Sequence, residues 1–152
     1  MDTRTKIKVT GRVKFEVIGK NGKPVNTLVV NNLVVNGGLS LVTAYLTGSS
    51  PAVPVSHIAV GDGQTAPTPG DTTLESELLR EAADISNPSS FSVQYQHIWA
   101  VGTATGTYYE AGLFDADTAG NMFSRVTFPE LIVEDIHQLI VTWTISVTAT
   151  EV

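Results

Sequence analysis

Apolar residues alternate with polar ones along much of this chain, and this period of two constrains the fold more than any other feature. In 139–147 one side of the alternation holds Leu139, Val141, Trp143, Ile145 and Val147, and the other holds Thr142, Thr144 and Ser146. Segment 6–18 alternates likewise, as does 91–101, where Phe91, Val93, Tyr95, His97, Trp99 and Val101 share a face. Successive side chains of a strand point to opposite faces, so these segments are predicted to be strands with one core face and one wet or interface face.

Turn residues divide the rest of the chain into further elements. Asn21-Gly22 is typical of a type I′ hairpin turn after the first strand, and Gly11 marks a bulge or crossing within that strand. Asn31-Asn32 is expected to interrupt the second strand, and Asn36-Gly37-Gly38 is expected to end it. A short helix is then predicted at 39–47, with Leu39, Val42 and Leu46 on one side. Further strands are predicted at 25–30, 33–35, 55–60, 107–114 and 121–128, and loops at 48–54 and 61–72.

A second short helix is predicted after the 61–72 loop. Thr72-Thr73-Leu74-Glu75 matches a capping box, with Thr72 as N-cap and Glu75 at the third helical position. The helix would continue through Leu78 to Arg80. With no βαβ rhythm and no internal repeat, residues 1–152 are expected to form one all-β domain. Its predicted architecture is an antiparallel β-sandwich, jelly-roll-like, with one or two short helices.

Composition narrows the possible functions. The chain has no cysteine, which excludes disulfides, thiolate nucleophiles and thiolate metal sites. Charged residues make up only 16% of the sequence, so the surface is expected to be rich in Thr, Ser, Asn and Gly and to pack against neighbours. No secretory apolar region and no membrane-length apolar run is visible. We therefore expect a soluble protein, made in a cytoplasm, without a cofactor and without a membrane partner.

Charge is distributed very unevenly along the sequence. Residues 1–23 hold seven of the nine basic residues and two of the 15 acidic ones. This basic first strand and its turn favour contact with something acidic: a neighbouring copy, another protein or a polyanion. Equally, alternating lysines protect an exposed edge strand from aggregation. The candidate contact residues are Arg4, Lys6, Lys8, Arg12 and Lys14. Nucleic acid is not expected, because the stretch has one aromatic residue, Phe15, and the chain is acidic overall.

Motifs for catalysis and metal binding are weak. His57, His97 and His137 lack metal-ligand spacing, and Asp115-x-Asp117-x-x-Gly120 lacks the further oxygen ligands of a calcium loop. Neither a Gly-x-Ser-x-Gly elbow nor a phosphate-binding loop is present.

Among the acidic residues, Glu110 differs from the others because it lies inside an apolar strand. It is a catalytic acid with a raised pKa, a carboxylate facing out of the sheet, or the partner of Arg125 on the neighbouring hairpin strand. We favour the pair with Arg125, and we do not expect an enzyme.

Two ordered elements resemble a recurrent pattern in tailed-bacteriophage virion proteins. The first runs from Ile58-Ala59-Val60-Gly61-Asp62-Gly63-Gln64-Thr65-Ala66-Pro67 to Asp71-Thr72-Thr73-Leu74-Glu75-Ser76-Glu77 and Arg80. The second is Tyr109-Glu110-Ala111-Gly112-Leu113-Phe114-Asp115, followed by Met122-Phe123-Ser124-Arg125-Val126. Val34-Val35-Asn36-Gly37-Gly38 and the closing strand 139–145 are similar to the family's two ends. The resemblance covers roughly residues 28–147 and includes no catalytic motif.

The resemblance implies a structural role on a phage particle. The leading hypothesis is a capsid decoration (cement) protein, located in the virion and assembled in the host cytoplasm. Its expected partners are further copies of itself, with a trimer as one possibility, and the major capsid protein or other virion proteins. Asp62 and Gln64 in the 61–72 loop join the candidate contact residues. A tail, collar, baseplate or fibre-base component is the alternative. A glycan-binding sandwich using Trp99, Tyr108 and Tyr109 is a second alternative.

Overall fold

A computed structural model describes residues 4–49 and 53–152. Residues 1–3 and 50–52, which belong to the predicted basic segment and to the predicted loop at 48–54, lie outside the described residues. The nine strands are β1 (Thr5–Ile18), β2 (Pro24–Val34), β3 (His57–Gly61), β4 (Glu77–Ala82), β5 (Asp84–Ser89), β6 (Ser92–Trp99), β7 (Gly106–Phe114), β8 (Met122–Val133) and β9 (Gln138–Glu151). The one helix among these residues is α1 (Asn36–Thr47). The predicted all-β class with few helices is confirmed.

The strands form an antiparallel sheet in the order β4-β3-β7-β8-β2-β1-β9-β6-β5. We call β2-β1-β9-β6-β5 half A and β4-β3-β7-β8 half B. Strand β2 connects them, because it pairs with β1 along most of its length and with β8 only at Leu33 and Val34. The inner faces pack together, as the rings of Phe15 in half A and Phe128 in half B show, with centroids 4.3 Å apart. The arrangement is therefore sandwich-like.

The core follows the predicted alternation. Odd-numbered residues of β1 and β9 point inward, and those buried include Val13, Phe15, Val17, Leu139, Val141, Trp143 and Ile145. Tyr95 and Trp99 of β6 are buried beside them, whereas Phe91 and Val101, just beyond the ends of that strand, are 74% and 62% exposed. The strong local pattern thus predicts the inward face in the middle of these strands and fails towards their ends, where Ile7 and Val147 are also exposed.

Helix α1 begins at Asn36, three residues before the predicted start at Leu39. Gly38 lies directly against the Phe123 carbonyl, and a Cβ on Gly37 would be 2.8 Å from the Met122 carbonyl oxygen. These glycines therefore allow close packing of the helix on β8. The predicted apolar face is also wrong: Leu41 is buried, while Leu46 is 83% exposed.

The helix predicted from the capping box is wrong, and residues 77–82 form strand β4 instead. The carboxylate of Glu75 accepts a hydrogen bond from the backbone N–H of Thr65, so it does not cap a helix start at Thr72. The predicted interruption at Asn31-Asn32 is likewise wrong, since β2 continues through both residues. Strand β5 was not predicted, because its six residues are all exposed and show no apolar alternation.

Candidate functional site

Glu110 of β7 and Arg125 of β8 form a buried ion pair in half B. Arg125 donates to Oε2 of Glu110 from Nε at 3.1 Å and from Nη2 at 2.8 Å. The Glu110 side chain is fully buried, and that of Arg125 is 3% exposed. This is the pair favoured from the sequence. The competing expectation of a carboxylate facing out of the sheet is wrong.

The same carboxylate binds the backbone of the loop that follows β3. Oε1 of Glu110 accepts the N–H groups of Gly63 at 3.1 Å and Ser76 at 2.7 Å, and Oε2 accepts the N–H of Glu75 at 3.0 Å. A Cβ on Gly63 would lie 2.5 Å from Oε1, so only glycine lets the loop approach this closely. Glu110 therefore holds both ends of the 61–76 segment, which we call the pinned loop. The sequence gives no local signal for these contacts.

Arg125 extends the network to the middle of the pinned loop. Its Nη1 donates to Oδ2 of Asp71 at 2.8 Å, and its Nη2 also donates to the carbonyl oxygen of Thr65 at 2.9 Å. Burial alone would lower the pKa of Arg125. The hydrogen bonds and charges of Glu110 and Asp71 outweigh burial and raise it. The guanidinium stays charged and joins β7, β8 and the loop in one polar cluster.

The two outer carboxylates of the pinned loop are stabilised in their charged form. Burial acts to raise the pKa of Asp71, but hydrogen bonds from Thr68 and Arg125 and the charge of Arg125 lower it overall. The pKa of Glu75 is lowered mainly by hydrogen bonds from Thr65. Every carboxylate in this cluster therefore has partners within the protein, and the arrangement is suited to fixing a loop shape.

A second polar cluster fixes the β7–β8 hairpin loop. Asp115 accepts the backbone N–H of Asn121 at 2.6 Å and its side-chain amide at 2.9 Å. Arg80 donates to the carbonyl oxygens of Ala116 and Ala119 in the same loop, at 3.0 and 2.9 Å. The aspartate that resembled a calcium ligand thus holds the hairpin. Within residues 4–49 and 53–152, no group of three or more acidic or histidine side chains is placed to hold a metal ion.

The three histidines make contacts with nearby groups, and His57 and His97 both lie beside Ala82. Nδ1 of His97 lies 2.8 Å from the Ala82 carbonyl oxygen, and its ring packs edge-on against Trp99 at 4.4 Å. Nδ1 of His57 lies 2.8 Å from the Ser56 hydroxyl, and Nδ1 of His137 accepts the backbone N–H of Glu134. Each imidazole is used in packing or a turn.

Four of the predicted contact residues lie in one line on the outer face of half A. They are Lys6, Lys8, Arg12 and Lys14, all exposed, and their partners across the β1–β9 ladder are Thr150, Thr148, Thr144 and Thr142. Gln94 and Gln96 of β6 continue this face beside Thr144 and Thr142. Lys14 forms a salt bridge of 3.4 Å with Glu16. We call this basic, hydroxyl-rich surface the basic face.

The other predicted contact residues lie elsewhere. Arg4 is exposed just before β1, and its carbonyl oxygen accepts the N–H of Val152. Asp62 and Gln64 are exposed on the pinned loop of half B. Gln64 lines a shallow depression of about 360 Å³ together with Tyr109 and residues 127–130. The structure thus places Asp62 and Gln64 in the other sheet half from the basic face.

A groove that was not predicted from the sequence lies where β2 leaves β1. It measures about 800 Å³ and is lined by residues 8–12, 31–34, Leu39, Thr144 and Ser146. Asn32 packs directly over Gly11, and its Oδ1 accepts the indole N–H of Trp143 at 3.1 Å. Nδ2 of Asn32 is buried and has no hydrogen-bond partner among the described residues. Gly11 was the available signal, since it marks the position where the two strands separate.

The aromatic residues considered for glycan stacking are poorly placed for it. Trp99 and Tyr108 are 3% and 1% exposed, and the Tyr108 hydroxyl donates to the Ala104 carbonyl oxygen. Tyr109 is half-buried and donates to Glu130. Two of the three rings therefore belong to the core.

Comparison with known proteins assigns no family. No family model, curated protein or solved structure matches this chain. Over the part of the chain that the structure describes, no helix is long and apolar enough to cross a membrane. The function is therefore argued from the surfaces and polar clusters above.

Proposed function

We propose that this protein is a non-enzymatic structural component of a bacteriophage particle, most specifically a capsid decoration (cement) protein. The observation that carries the proposal is the basic face. It places four cations beside a line of threonines on a regular sheet, while the residues with the strongest potential for chemistry, Glu110 and Arg125, are occupied in the fold. The sequence resemblance to tailed-phage virion proteins supports a location on a phage particle. The basic face is the surface that we expect to contact the other virion proteins.

The chemistry of the basic face suits an acidic protein surface. Arg12 and Lys14 offer charge-assisted donors, and Thr142 and Thr144 add hydroxyls that both donate and accept. These side chains stand on adjacent paired strands, so little backbone ordering is needed on binding. Opposite charge steers association and sets the register of the two partners. Binding is therefore expected to weaken as salt concentration rises.

The proposed mechanism is stabilisation by linkage. A protein that binds the assembled shell, but not free coat subunits, lowers the free energy of the shell alone. At a free concentration of 100 times Kd, each occupied site contributes about 2.7 kcal/mol. Summed over many sites on a head, such binding raises the temperature and the internal pressure that the shell withstands. The pinned loop and the hairpin contribute by keeping the scaffold rigid.

The experiment compares phage particles with and without this protein. We expect particles that lack it to lose resistance to heat and osmotic shock, and purified protein to restore that resistance. Arg12→Glu with Lys14→Glu should bind heads at least tenfold more weakly, since two favourable charges become repulsive. Lys20→Glu with Lys23→Glu is the matched control, because it makes the same charge change in the exposed β1–β2 turn.

Equal resistance of particles with and without the protein would refute the cement role. Electron cryomicroscopy of intact particles locates the protein directly, and density on the tail alone would move it to the tail, collar or baseplate. If the Arg12/Lys14 variant binds like the Lys20/Lys23 control, the basic face is not the contact surface.

A further inference from the structure

Strand β1 is longer than its neighbour on one side. β2 pairs with β1 only from Gly11 to Ile18 and then crosses to β8. The first six residues of the strand, Thr5–Thr10, pair only with β9 among the described residues. Their other edge presents backbone N–H and C=O groups that no other described strand pairs with, and such groups readily accept a further strand. Residues 5–9 and their partners 147–151 therefore form a two-stranded ribbon at the end of half A, which we call the β1 ribbon.

The β1 ribbon is also incompletely buried. On the side that continues the core face, Ile7 is 68% exposed and Val147 is 45% exposed. The groove of about 800 Å³ lies beside the free edge, with Lys8 to Arg12 on one wall and residues 31–34 and Leu39 on the other. Isolated two-stranded ribbons are marginally stable in water. Free backbone groups, uncovered apolar side chains and an adjacent groove together indicate a site for one more strand.

Charge indicates what kind of strand fits. Lys6 and Lys8 lie on the β1 ribbon, so an acidic strand is favoured over a neutral or basic one. The chain itself contains such a strand at the far end of the sheet order. β4 is the outermost strand of half B, and its outer edge has no paired strand among the described residues. Its Leu78 is 49% exposed.

The acidic charge on and next to β4 comes from residues 75–84. Glu77 and Glu81 lie in β4 with one cation, Arg80, whereas Glu75 precedes the strand and Asp84 is the first residue of β5. Arg80 is bound by both oxygens of Glu77, at 2.9 and 2.7 Å, which leaves Glu81 and Asp84 as exposed charges. β5, the edge strand of half A, is less suitable, because Pro88 lacks a backbone N–H.

We propose that the β1 ribbon of one copy pairs with β4 of a second copy, joining their sheets end to end. Among the described residues, β1 and β4 of one chain are not paired with each other. The contact is heterologous, since each copy uses a different surface on each side, so repetition closes into a ring or continues as a filament. The inference deepens the proposed assembly function by naming a partner surface, and it is tested without phage particles.

The test is self-association of the purified full-length chain, measured by sedimentation velocity over a range of concentrations. Lys6→Glu with Lys8→Glu should raise the Kd of self-association about 10- to 100-fold, and Glu81→Lys with Asp84→Lys should do the same. A chain carrying all four changes restores opposite charges and should regain most of the association. Lys20→Glu with Lys23→Glu, and Glu134→Lys with Asp135→Lys, are matched controls in turns and should associate like the wild type.

Hydrogen exchange of the wild type supplies the second measurement. Backbone amides of residues 5–10 and 77–82 should exchange more slowly at a concentration where the oligomer forms than after dilution. Self-association with a Kd below about 100 μM would be visible at that concentration. A wild-type chain that is still monomeric at about 100 μM therefore overturns the proposal. An oligomer unchanged by the Lys6/Lys8 and Glu81/Asp84 variants also overturns it. Either of these two results would overturn the β1–β4 contact without testing the cement function. Conversely, normal self-association of a protein that does not bind phage heads would reject the cement function and support the β1–β4 contact.

Discussion

Replacing Glu110 by glutamine tests the role assigned to the buried cluster. The carboxylate accepts five hydrogen bonds, two from Arg125 and three from the backbone of the pinned loop. Glutamine has nearly the same shape but no charge, and its NH₂ group would face N–H donors. Removing one partner of a buried ion pair typically costs about 3–5 kcal/mol. Asp71 remains beside Arg125, so we expect a loss near the lower end of that range.

The assay is urea or thermal unfolding followed by circular dichroism. For a chain of this size, about 3 kcal/mol corresponds to a fall in Tm of roughly 6–12 °C. Glu134→Gln is the matched control, because Glu134 is exposed and the change should stay within about 0.5 kcal/mol. Hydrogen exchange adds a local readout: the amides of Gly63, Glu75 and Ser76 should lose protection in Glu110→Gln.

A double variant separates the ion pair from the hold on the loop. Glu110→Gln with Arg125→Met removes both charges, so the penalty of an unpaired buried cation disappears. The three backbone N–H groups still lack their carboxylate, so loop protection should stay low while global stability partly recovers. If Glu110→Gln unfolds within about 0.5 kcal/mol of wild type with unchanged amide protection, the reasoning is refuted.

Three further predictions concern steric fit and pH. Gly63→Ala should destabilise by about 1–3 kcal/mol in urea unfolding, because the new Cβ would lie 2.5 Å from Glu110 Oε1, whereas Gly70→Ala should be nearly neutral with no atom within 4 Å. Asp71 and Glu75 have folded pKa values below their ordinary 3.8 and 4.5. Their stabilisation is present above those ordinary values and lost as pH falls through the folded ones, so Tm should drop on acidification. Burial raises the pKa of Tyr95 from 10.0 to about 12. The contribution of Tyr95 to folding stability is therefore present below pH 10.0 and lost as pH rises towards about 12. Tyrosinate absorbance follows this ionisation.

Each of these predictions has a contrary outcome. Equal stability of Gly63→Ala and Gly70→Ala would mean that the pinned loop shifts freely. A variant with Asp71→Asn and Glu75→Gln should lose less Tm than wild type between about pH 5 and about pH 2, and identical losses would assign the acid sensitivity to other groups. Alkaline titration of Tyr95→Phe should lack the latest tyrosinate step; an unchanged curve would contradict the burial argument.

The strands could be predicted because their information is local. In β9, apolar and polar residues alternate from Val141 to Ile145 and the observed burial alternates with them, since a strand with one wet face needs only that period. Edge strand β5 escaped prediction for the opposite reason: all its residues are exposed, so no apolar pattern is required. The position of β5 in the sheet is set by its pairing with β6, and no pattern within the sequence of β5 indicates that pairing.

The pinned loop shows where local reasoning fails. Residues 72–75 match a capping box, so the local sequence alone predicts a helix that the structure does not contain. The competing acceptor is Glu110, 34 positions from Ser76 and 47 from Gly63. One buried carboxylate satisfies three backbone donors and holds the segment extended. The Glu110–Arg125 pair itself was predictable, because its strands are joined by a hairpin, whereas the groove beside Asn32 depends on β2 crossing between sheet halves.

The ladder between β1 and β9 has a consequence for synthesis on the ribosome. All fourteen residues of β1 are paired with β9, and even the nearest partners, Ile18 and Gln138, are roughly 120 residues apart in sequence. β1 therefore leaves the exit tunnel long before the strand that covers one of its edges has been made. At about 5–20 residues per second, that interval lasts several seconds. During this time lysines along the nascent strand repel other emerging copies, so the charges proposed to guide assembly also protect the unfinished chain.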